Sequence, residues 1–229
     1  MIELVPRKDI LGQASNLAQE IAEIQKLMFE DDPELFENEN DRIKYLQMFD
    51  VKDLSIQNVT KSYKIISFDH FNLKTFASEL GKIIPDVLKQ IAVERLFLIS
   101  HLKMNYFGAN LKHTYPPIKR AYKKLQTITN GTFYDGGFKI KIEDLPELVE
   151  IAFWIERCDA SAPEFIFFHD SRDRFCFSLC KYGCIHLTEF SNEQFSSTVL
   201  KRTEFTQISG KCQEKFGGSK IEGRITRSR

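Results

Sequence analysis

Residues 174–190 place the tightest limit on the fold of this 229-residue chain. Apolar and small polar side chains alternate along them, which is typical of two β-strands with one covered face. A three-residue loop at 181–183, with Gly183 in the left-handed conformation, keeps the alternation consistent across the turn. One face of the predicted hairpin then carries five apolar side chains: Phe175, Phe177, Leu179, Ile185 and Leu187. The opposite face carries thiols and polar groups: Cys176, Ser178, Cys180, Cys184, His186 and Thr188.

The segments around this hairpin predict an α+β fold with an antiparallel sheet of about four strands, in the order β-α-β-β-β-α. Residues 132–142 and 164–169 form the first two strands, and the hairpin supplies the other two. A helix over residues 144–157 separates the first two strands. The sequence of residues 191–194 fits a capping box and predicts a closing helix. We expect these helices to pack on the sheet.

The N-terminal half of the chain is predicted to be mainly helical. Residues 9–30 repeat apolar side chains at alternating spacings of three and four, which indicates a helix packed against its own neighbour or against a second chain. Residues 73–84 predict another helix. The wide apolar face from Val87 to Leu102 predicts a central core helix that begins at Pro85 and ends at Gly108. Residues 62–68 have the composition of a strand.

Three parts of the chain differ in composition. A loop containing Tyr115-Pro116-Pro117 is the best internal boundary, and it separates a helical part, 1–110, from an α+β part, 111–216. The two parts also fit one continuous domain. Residues 217–229 read as a flexible Gly-Gly-Ser linker followed by a tag-like tail, in which residues 221–224 resemble a protease recognition site.

Composition and run lengths favour a soluble protein that stays in the cytoplasm. Hydrophobic residues make up 42% of the chain, enough for a sizeable core. The longest apolar runs fall far short of the roughly 18 residues that a membrane helix needs. The N-terminus lacks the basic and apolar regions of a secretory signal. Five cysteines in a chain of this length favour reduced thiols, and no cofactor is expected.

The thiol-rich face of the hairpin admits three interpretations. Sulfur and imidazole are ligands that zinc prefers, and Cys176, Cys180, Cys184 and His186 share this face. Structural zinc sites usually take paired ligands from a tight knuckle, whereas these residues belong to opposed extended strands. Cysteine is also often buried as a small apolar group. The sequence therefore favours core packing without a metal, with metal binding and thiol chemistry as the alternatives.

Motifs of catalysis and nucleotide binding are absent from the sequence. It contains no G-x-G-x-x-G, P-loop, G-x-S-x-G or H-E-x-x-H pattern. His169 and Asp170 have the residue types of a metal dyad, but the further histidine and carboxylate ligands are missing. Residues 170–173 instead fit a polar turn. No catalytic residue is assigned, and a hydrolase with an unrecognised carboxylate or histidine site is the third interpretation of the function.

Charge is segregated along a chain whose net charge is zero. Residues 1–60 carry 6 basic and 13 acidic side chains, a net of −7, and residues 61–142 carry 14 and 5, a net of +9. The second block contains a stretch able to contact phosphates and to stack on bases. An RNA- or DNA-binding accessory protein is therefore the second interpretation, with these candidate residues: Lys112, Lys119, Arg120, Tyr122, Lys123 and Lys124.

An acidic run at residues 30–41 supports the leading interpretation. It holds seven carboxylates and no basic residue, and Asp32-Pro33 predicts a helix start within it. The acidic run is either a solvated helix start or a docking surface for a basic protein, and the second interpretation is the more specific one. Its candidate residues are Asp31, Asp32 and Glu34. We therefore expect a non-enzymatic protein-interaction module, such as an inhibitor, an immunity-type protein or an adaptor, which selects its protein partner by charge.

Overall fold

The computed structural model of the chain describes residues 2–30, 32–55, 57, 59–106, 113–131, 134–190, 194–195, 197–200, 203–217, 219–221 and 224–226. Its helices are α1 (Arg7–Gln13), α2 (Ser15–Met28), α3 (Glu39–Met48), α4 (Leu73–Gln90), α5 (Pro116–Ile128), α6 (Leu145–Cys158) and α7 (Ser197–Leu200). Its strands are β1 (Glu3–Val5), β2 (Lys61–Phe68), β3 (Arg95–Ser100), β4 (Gly137–Lys141), β5 (Ile166–Asp170), β6 (Phe175–Leu179), β7 (Cys184–Phe190), β8 (Phe205–Ile208), β9 (Ser219–Ile221) and β10 (Arg224–Thr226). Short 3-10 helices lie at Pro33–Leu35 and Ile142–Asp144. Within these ranges, no helix combines the length and the apolar content that crossing a bilayer requires.

Eight strands form one antiparallel sheet in the order β1-β4-β3-β5-β6-β7-β2-β8. The sheet takes β1, β2 and β3 from the chain before residue 110 and the other five strands from the chain after it. The predicted α+β class and antiparallel sheet are confirmed. The predicted number of about four strands is wrong. β1 and β8, with three and four residues, are too short to show an alternation, and β2 and β3 join the same sheet.

Helices cover both faces of this sheet. On one face, α4, α5 and α6 pack against inward side chains that include Leu96 and Leu98 of β3. On the other face, α1 and α2 pack against Phe97 and Ile99 of the same strand. Successive side chains of a strand point to opposite faces, so β3 contributes to both cores in alternation. The molecule therefore has three layers, helix, sheet and helix.

The β6–β7 hairpin has the predicted register. Leu179 pairs with Ile185, and the Cys180 N–H donates to the Cys184 carbonyl at 2.9 Å, which leaves three residues for the loop. Gly183 has φ +82°, the left-handed conformation that the loop requires. The five apolar side chains of the predicted inner face lie together in the core that includes α6: Phe175, Phe177, Leu179, Ile185 and Leu187. The prediction for this hairpin is confirmed.

The core helix predicted to begin at Pro85 and end at Gly108 is wrong, because Arg95–Ser100 form a strand. Pro85 lies inside α4, and α4 ends at Gln90, after which β3 begins five residues later. The N–H groups of Ala92 and Val93 bond back to the last turn of α4, and Ala92 has φ +54°. This is a left-handed helix cap with alanine where glycine is usual. The buried strand that follows is a continuous apolar run, which periodicity alone cannot distinguish from a helix.

The predicted helix over residues 9–30 is divided into α1 and α2 at Ala14, which has non-helical backbone angles. Apolar side chains of the predicted seam are buried against the sheet: Ile10, Leu17 and Ile21. The apolar seam therefore packs against the protein's own sheet. The helix predicted to start at Asp32-Pro33 begins as a 3-10 turn, and α3 follows it.

The C-terminal residues include a second, two-stranded antiparallel sheet of β9 and β10. β10 lies beside α6. This hairpin occupies part of the region predicted as a linker and tag-like tail, and the origin of that region stays a prediction. The capping box predicted at 191–194 falls, apart from Gln194, outside the described residues, and the helix described after it is the four-residue α7.

Candidate functional site

Three thiols and one imidazole meet at the loop end of the β6–β7 hairpin. Cys180 and Cys184 lie opposite each other, His186 follows on β7, and Cys212 comes from the segment after β8. The Cys212 Sγ lies 3.4 Å from the His186 Nε2. The ligand atoms of Cys180, His186 and Cys212 all lie within 4.8 Å of one another. The Cys184 thiol contacts the other two thiols, and these four residues form the thiol–imidazole cluster.

The cluster lies where the helical cover of the sheet ends. Cys184 is buried, Cys180 and Cys212 are half-buried, and His186 is exposed. An open cleft of about 420 Å³ borders the cluster, and Tyr182 is among the residues that line it. Solvent and small ions can therefore reach the cluster from one side, unlike a thiol packed inside the core.

Hydrogen bonds within the cluster shift the thiol pKa values in opposite directions. Bonds from Cys184 and Cys212 hold the pKa of Cys180 far below its usual range. The contact with Cys180, together with burial, raises the pKa values of Cys184 and Cys212. In contrast, burial raises the pKa of Cys158, outside the cluster, to about 12. The three thiols therefore interact with one another, and their protonation is linked.

The segment that carries Cys212 is fixed to the body of the protein. Residues 209–217, the C-terminal strap, pass around the loop end of the hairpin. The fully buried Arg157 of α6 donates to both carboxylate oxygens of Glu214, at 3.1 and 3.2 Å. The Phe216 ring packs at 4.7 Å from the Phe76 ring of α4. Cys212 is therefore positioned by the contacts of its own segment with α6 and α4, as well as by its contact with His186 on the hairpin.

The structure places the thiols of the predicted face in two environments. Cys176 is fully buried in the core beneath α1 and α2, as core packing predicts. Cys180 and His186 lie outside that core, so packing does not account for them. The sequence gives Cys212 no role, because no pattern signals that a residue 26 positions after His186 folds back onto the hairpin.

The acidic run belongs to an arm formed by residues 27–49, the acidic arm. The Asp32 side chain accepts a hydrogen bond from the Glu34 N–H at 2.9 Å and caps the 3-10 turn. Glu34 is exposed, and Asp31 lies outside the described residues. The sequence has no basic side chain from Glu30 to Asp41 to neutralise this part of the surface.

Apolar side chains accompany the carboxylates of the acidic arm. Leu27 is 87% exposed, Leu35 is 59% exposed and Ile43 is 43% exposed. The arm is held together by Tyr45, whose ring centroid lies 4.8 Å from that of Phe49 and 5.1 Å from that of Phe36. The Tyr45 hydroxyl also accepts a bond from the Glu30 N–H at 3.1 Å. The arm thus combines negative charge with exposed apolar surface on a defined scaffold.

The basic stretch lies on and before α5. Lys119, Arg120 and Lys123 are exposed. Lys124 forms an ion pair with Glu150 at 2.5 Å. Tyr122 is buried and donates its hydroxyl to Asp159. Lys112 lies outside the described residues. The described part of this stretch therefore presents three exposed cations, and the Tyr122 ring is turned into the protein.

The histidine and carboxylates at the end of β5 make local ion pairs. The His169 Nε2 lies 2.9 Å from a carboxylate oxygen of Asp173, and the Arg174 Nε donates to Asp170 at 2.5 Å. Asp173 also accepts bonds from Asn16 of α2, so this turn joins the sheet to the helix above it. These contacts fit the structural role predicted for the turn.

Two surfaces are left as candidates for function, the acidic arm and the thiol–imidazole cluster. Among the described residues, the cluster contains the one group of three or more metal-binding side chains whose ligand atoms converge. Comparison of the chain with protein-family models, with curated proteins and with solved structures finds no match.

Proposed function

We propose that this protein is a non-enzymatic protein-interaction module whose acidic arm binds a basic, partly apolar surface of a partner protein. The observation that carries the proposal is the exposure of large apolar side chains in an arm rich in carboxylates. Leu27, Leu35 and Ile43 are largely open to solvent in the same arm that holds seven acidic residues between 30 and 41. Apolar exposure of this kind, rimmed by polar groups, is typical of a binding surface.

The apolar side chains supply a source of affinity. Burying one leucine or isoleucine side chain completely is worth about 1.5–3 kcal/mol. Leu27 and Leu35 are more exposed than Ile43, so their burial by a partner would supply most of this free energy. Met28 and Leu54 are further exposed apolar side chains within or next to the arm.

The carboxylates supply selectivity and speed. Glu34, Glu37 and Glu39 are exposed, and a surface of one sign steers an oppositely charged partner towards productive encounter. Ion pairs of Arg42 with Glu39 at 3.4 Å and of Lys44 with Asp41 at 3.2 Å balance the α3 end of the arm. The partner that complements this charge is a basic protein.

The aromatic cluster around Tyr45 reduces the entropic cost of binding. Its contacts with Phe29, Phe36 and Phe49 join the 3-10 turn, α3 and the end of α2. A surface that is ordered before binding loses less conformational freedom when the partner docks.

Site-specific photo-cross-linking in the native host tests the proposal. A photoreactive residue at Leu35 should form a protein adduct, whereas the same residue at Phe71, which is 67% exposed outside the arm, should not. The Glu34→Lys/Glu37→Lys variant should lose the adduct. These positions are chosen because Asp32 also caps the 3-10 turn, so changing it would mix charge with folding.

The matched control for this variant is Asp86→Lys/Glu94→Lys. It alters the charge by the same amount at positions that are 73% and 81% exposed, where weak surface ion pairs contribute little to stability. This control should keep the adduct. The proposal fails if Leu35 gives no protein adduct, if both double variants lose it equally, or if the adduct is nucleic acid bound through Lys119, Arg120 and Lys123.

A further inference from the structure

We propose that Cys180, Cys184, His186 and Cys212 form a tetrahedral zinc site, which fastens the C-terminal strap to the β6–β7 hairpin. Three of these ligand atoms, from the end of β6, from β7 and from the strap after β8, lie within 4.8 Å of one another, and the Cys184 thiol contacts those of Cys180 and Cys212. This site is separate from the acidic arm, and it requires no partner protein.

Three of the four ligand atoms lie at separations close to those of a zinc centre. With Zn–S near 2.3 Å and Zn–N near 2.0 Å, tetrahedral ligands lie about 3.8 Å apart for two sulfurs and about 3.6 Å apart for sulfur and nitrogen. The Cys212 Sγ and the His186 Nε2 are 3.4 Å apart. The Cys180 Sγ lies within 4.8 Å of both atoms. A contraction of up to about 1 Å would place one ion among these three atoms, and the Cys184 thiol, which contacts both other thiols, would move in to complete the tetrahedron.

The hairpin brings Cys180 and Cys184 together because they are opposite each other across its three-residue loop. Directly opposed residues of antiparallel strands have Cβ atoms about 4.5–5.5 Å apart, close enough for both thiols to reach one ion. Gly183 permits this tight loop through its positive φ. In the sequence, the strand positions of the two cysteines argue against a zinc knuckle. In the fold, the tight loop between the strands gives them the geometry of a knuckle, with three residues between the cysteines.

The donor set selects the class of metal. Three thiolates and one imidazole are soft to borderline ligands, which suit zinc and exclude the oxygen-seeking magnesium and calcium ions. Four protein ligands complete the tetrahedron, so the site is structural rather than catalytic. Three thiolates around a divalent ion leave one negative charge. The Lys215 ammonium, which interacts electrostatically with all three thiols, is placed to balance it.

Simple packing explains the cluster less well than a metal does. A cysteine that packs as an apolar group is normally buried, as Cys176 is. In the cluster, Cys180 and Cys212 are half-buried and His186 is exposed. A disulfide between two of the cysteines would not explain why the third thiol and the imidazole lie next to them.

The metal would strengthen an attachment that the strap already has. Glu214 and Phe216 hold the strap to α6 and α4, two and four residues beyond Cys212. Loss of the ion would release the strap at Cys212 and weaken the cover that Phe216 gives to Phe76 and Phe153. Zinc binding is therefore expected to stabilise the fold, because it occurs to the folded chain.

Titration of the reduced, metal-free full chain with Zn²⁺ and with Co²⁺ tests the proposal. The wild-type protein should bind about one ion per chain, release protons from its thiols, and show the visible absorption of tetrahedral cobalt thiolate. The melting temperature should rise on adding Zn²⁺. Cys212→Ser should bind at least about tenfold more weakly, since even indirect metal-site changes cost that much.

Cys176→Ser is the matched control, since it changes a thiol on the same face about 13 Å along the strand. It should bind Zn²⁺ as tightly as the wild type. His186→Gln, at an exposed position, gives a second ligand variant that keeps the fold, and it should also bind weakly. The proposal is overturned if the wild type binds no ion, if either ligand variant binds with unchanged affinity, or if protein prepared without oxidant contains a disulfide within the cluster.

Discussion

Asp159 connects three separate segments of the chain through one buried carboxylate. It accepts hydrogen bonds from the His113 imidazole at 3.0 Å, from the Tyr122 hydroxyl, and from the Ser161 N–H and hydroxyl at 2.9 and 2.6 Å. Burial alone would raise the pKa of Asp159, but the bonds from Ser161, Tyr122 and His113 outweigh burial and lower it. Ionised Asp159 is therefore a stabilising group.

Replacing Asp159 with Asn is expected to cost about 2 kcal/mol of unfolding free energy at pH 7, because hydrogen bonds to a charged acceptor are lost. When folding lowers the pKa of a carboxyl group, the ionised group stabilises the fold at every pH above its pKa in the unfolded chain, which is near 4 for aspartate. This stabilisation is lost as the pH falls through the pKa that the group has in the folded protein. The difference between wild type and Asp159→Asn should therefore shrink below about pH 4. Urea unfolding from pH 7 to pH 3 measures it.

Tyr122→Phe is the control for this prediction, because it removes one donor and keeps the charge. It should cost less than Asp159→Asn at pH 7 and retain more of the pH dependence. An Asp159→Asn variant whose deficit stays constant from pH 7 to pH 3 would show that the carboxylate is not the source of the effect.

The functional residues were only partly predictable from the sequence. The alternation of side chains along the two strands and the glycine at position 183 were sufficient to place Cys180, Cys184 and His186 on a common face. This was possible because a hairpin is formed by residues that are close in sequence. Cys212 could not be found, since its approach depends on how residues 191–211 return to the sheet. Tyr122 looked available for stacking, and its burial follows from the polar partner Asp159, which lies 37 residues away.

At the scale of elements, the crossing of α4 over α6 depends on one glycine. A Cβ atom at Gly81 would lie 2.9 Å from the Pro146 carbonyl oxygen and 3.1 Å from its Cα. Both are backbone atoms at the first turn of α6, which cannot rotate away as a side chain could. Gly81 thus permits the close packing of the two helices on the sheet.

Gly81→Ala is expected to destabilise the protein by about 1–3 kcal/mol through overpacking, although alanine is the better helix former by about 1 kcal/mol. Gly12→Ala in α1 is the matched control, because a Cβ there meets no atom within 4 Å. That variant should stabilise the protein by roughly 0.5–1 kcal/mol. Denaturant unfolding separates the two cases, and a Gly81→Ala variant more stable than wild type would refute the packing account.

Helices and strands were predictable where the periodicity of the side chains and the capping residues indicate the same element. The strands of the hairpin and the helix near Asp144 follow their periodicity closely, and α6 spans Leu145–Cys158. The prediction missed β3 because α4 ends at Gln90 and the chain turns at Ala92, which adopts a left-handed conformation without the glycine that would signal it. α4 continues through Pro85, which a sequence-based boundary rule places at a helix start.

For the whole molecule, the sheet order depends on contacts that no local pattern encodes. β2 pairs with β7 and with β8, which follow it by more than 100 residues, and β1 pairs with β4. These pairings give the protein a core on each face of the sheet, and they leave the acidic arm outside both. The arm has no buried residue in α3, which is the basis for assigning it to a partner.

Association kinetics with the partner captured at Leu35 test the central claim, that the arm binds a basic protein. We predict that Glu34→Lys/Glu37→Lys slows association by roughly tenfold or more at low salt, and that added salt reduces this difference, because steering by surface charge is screened. Asp86→Lys/Glu94→Lys should associate nearly as fast as the wild type. Equal association rates for the wild type and the arm variant at low salt would contradict the account.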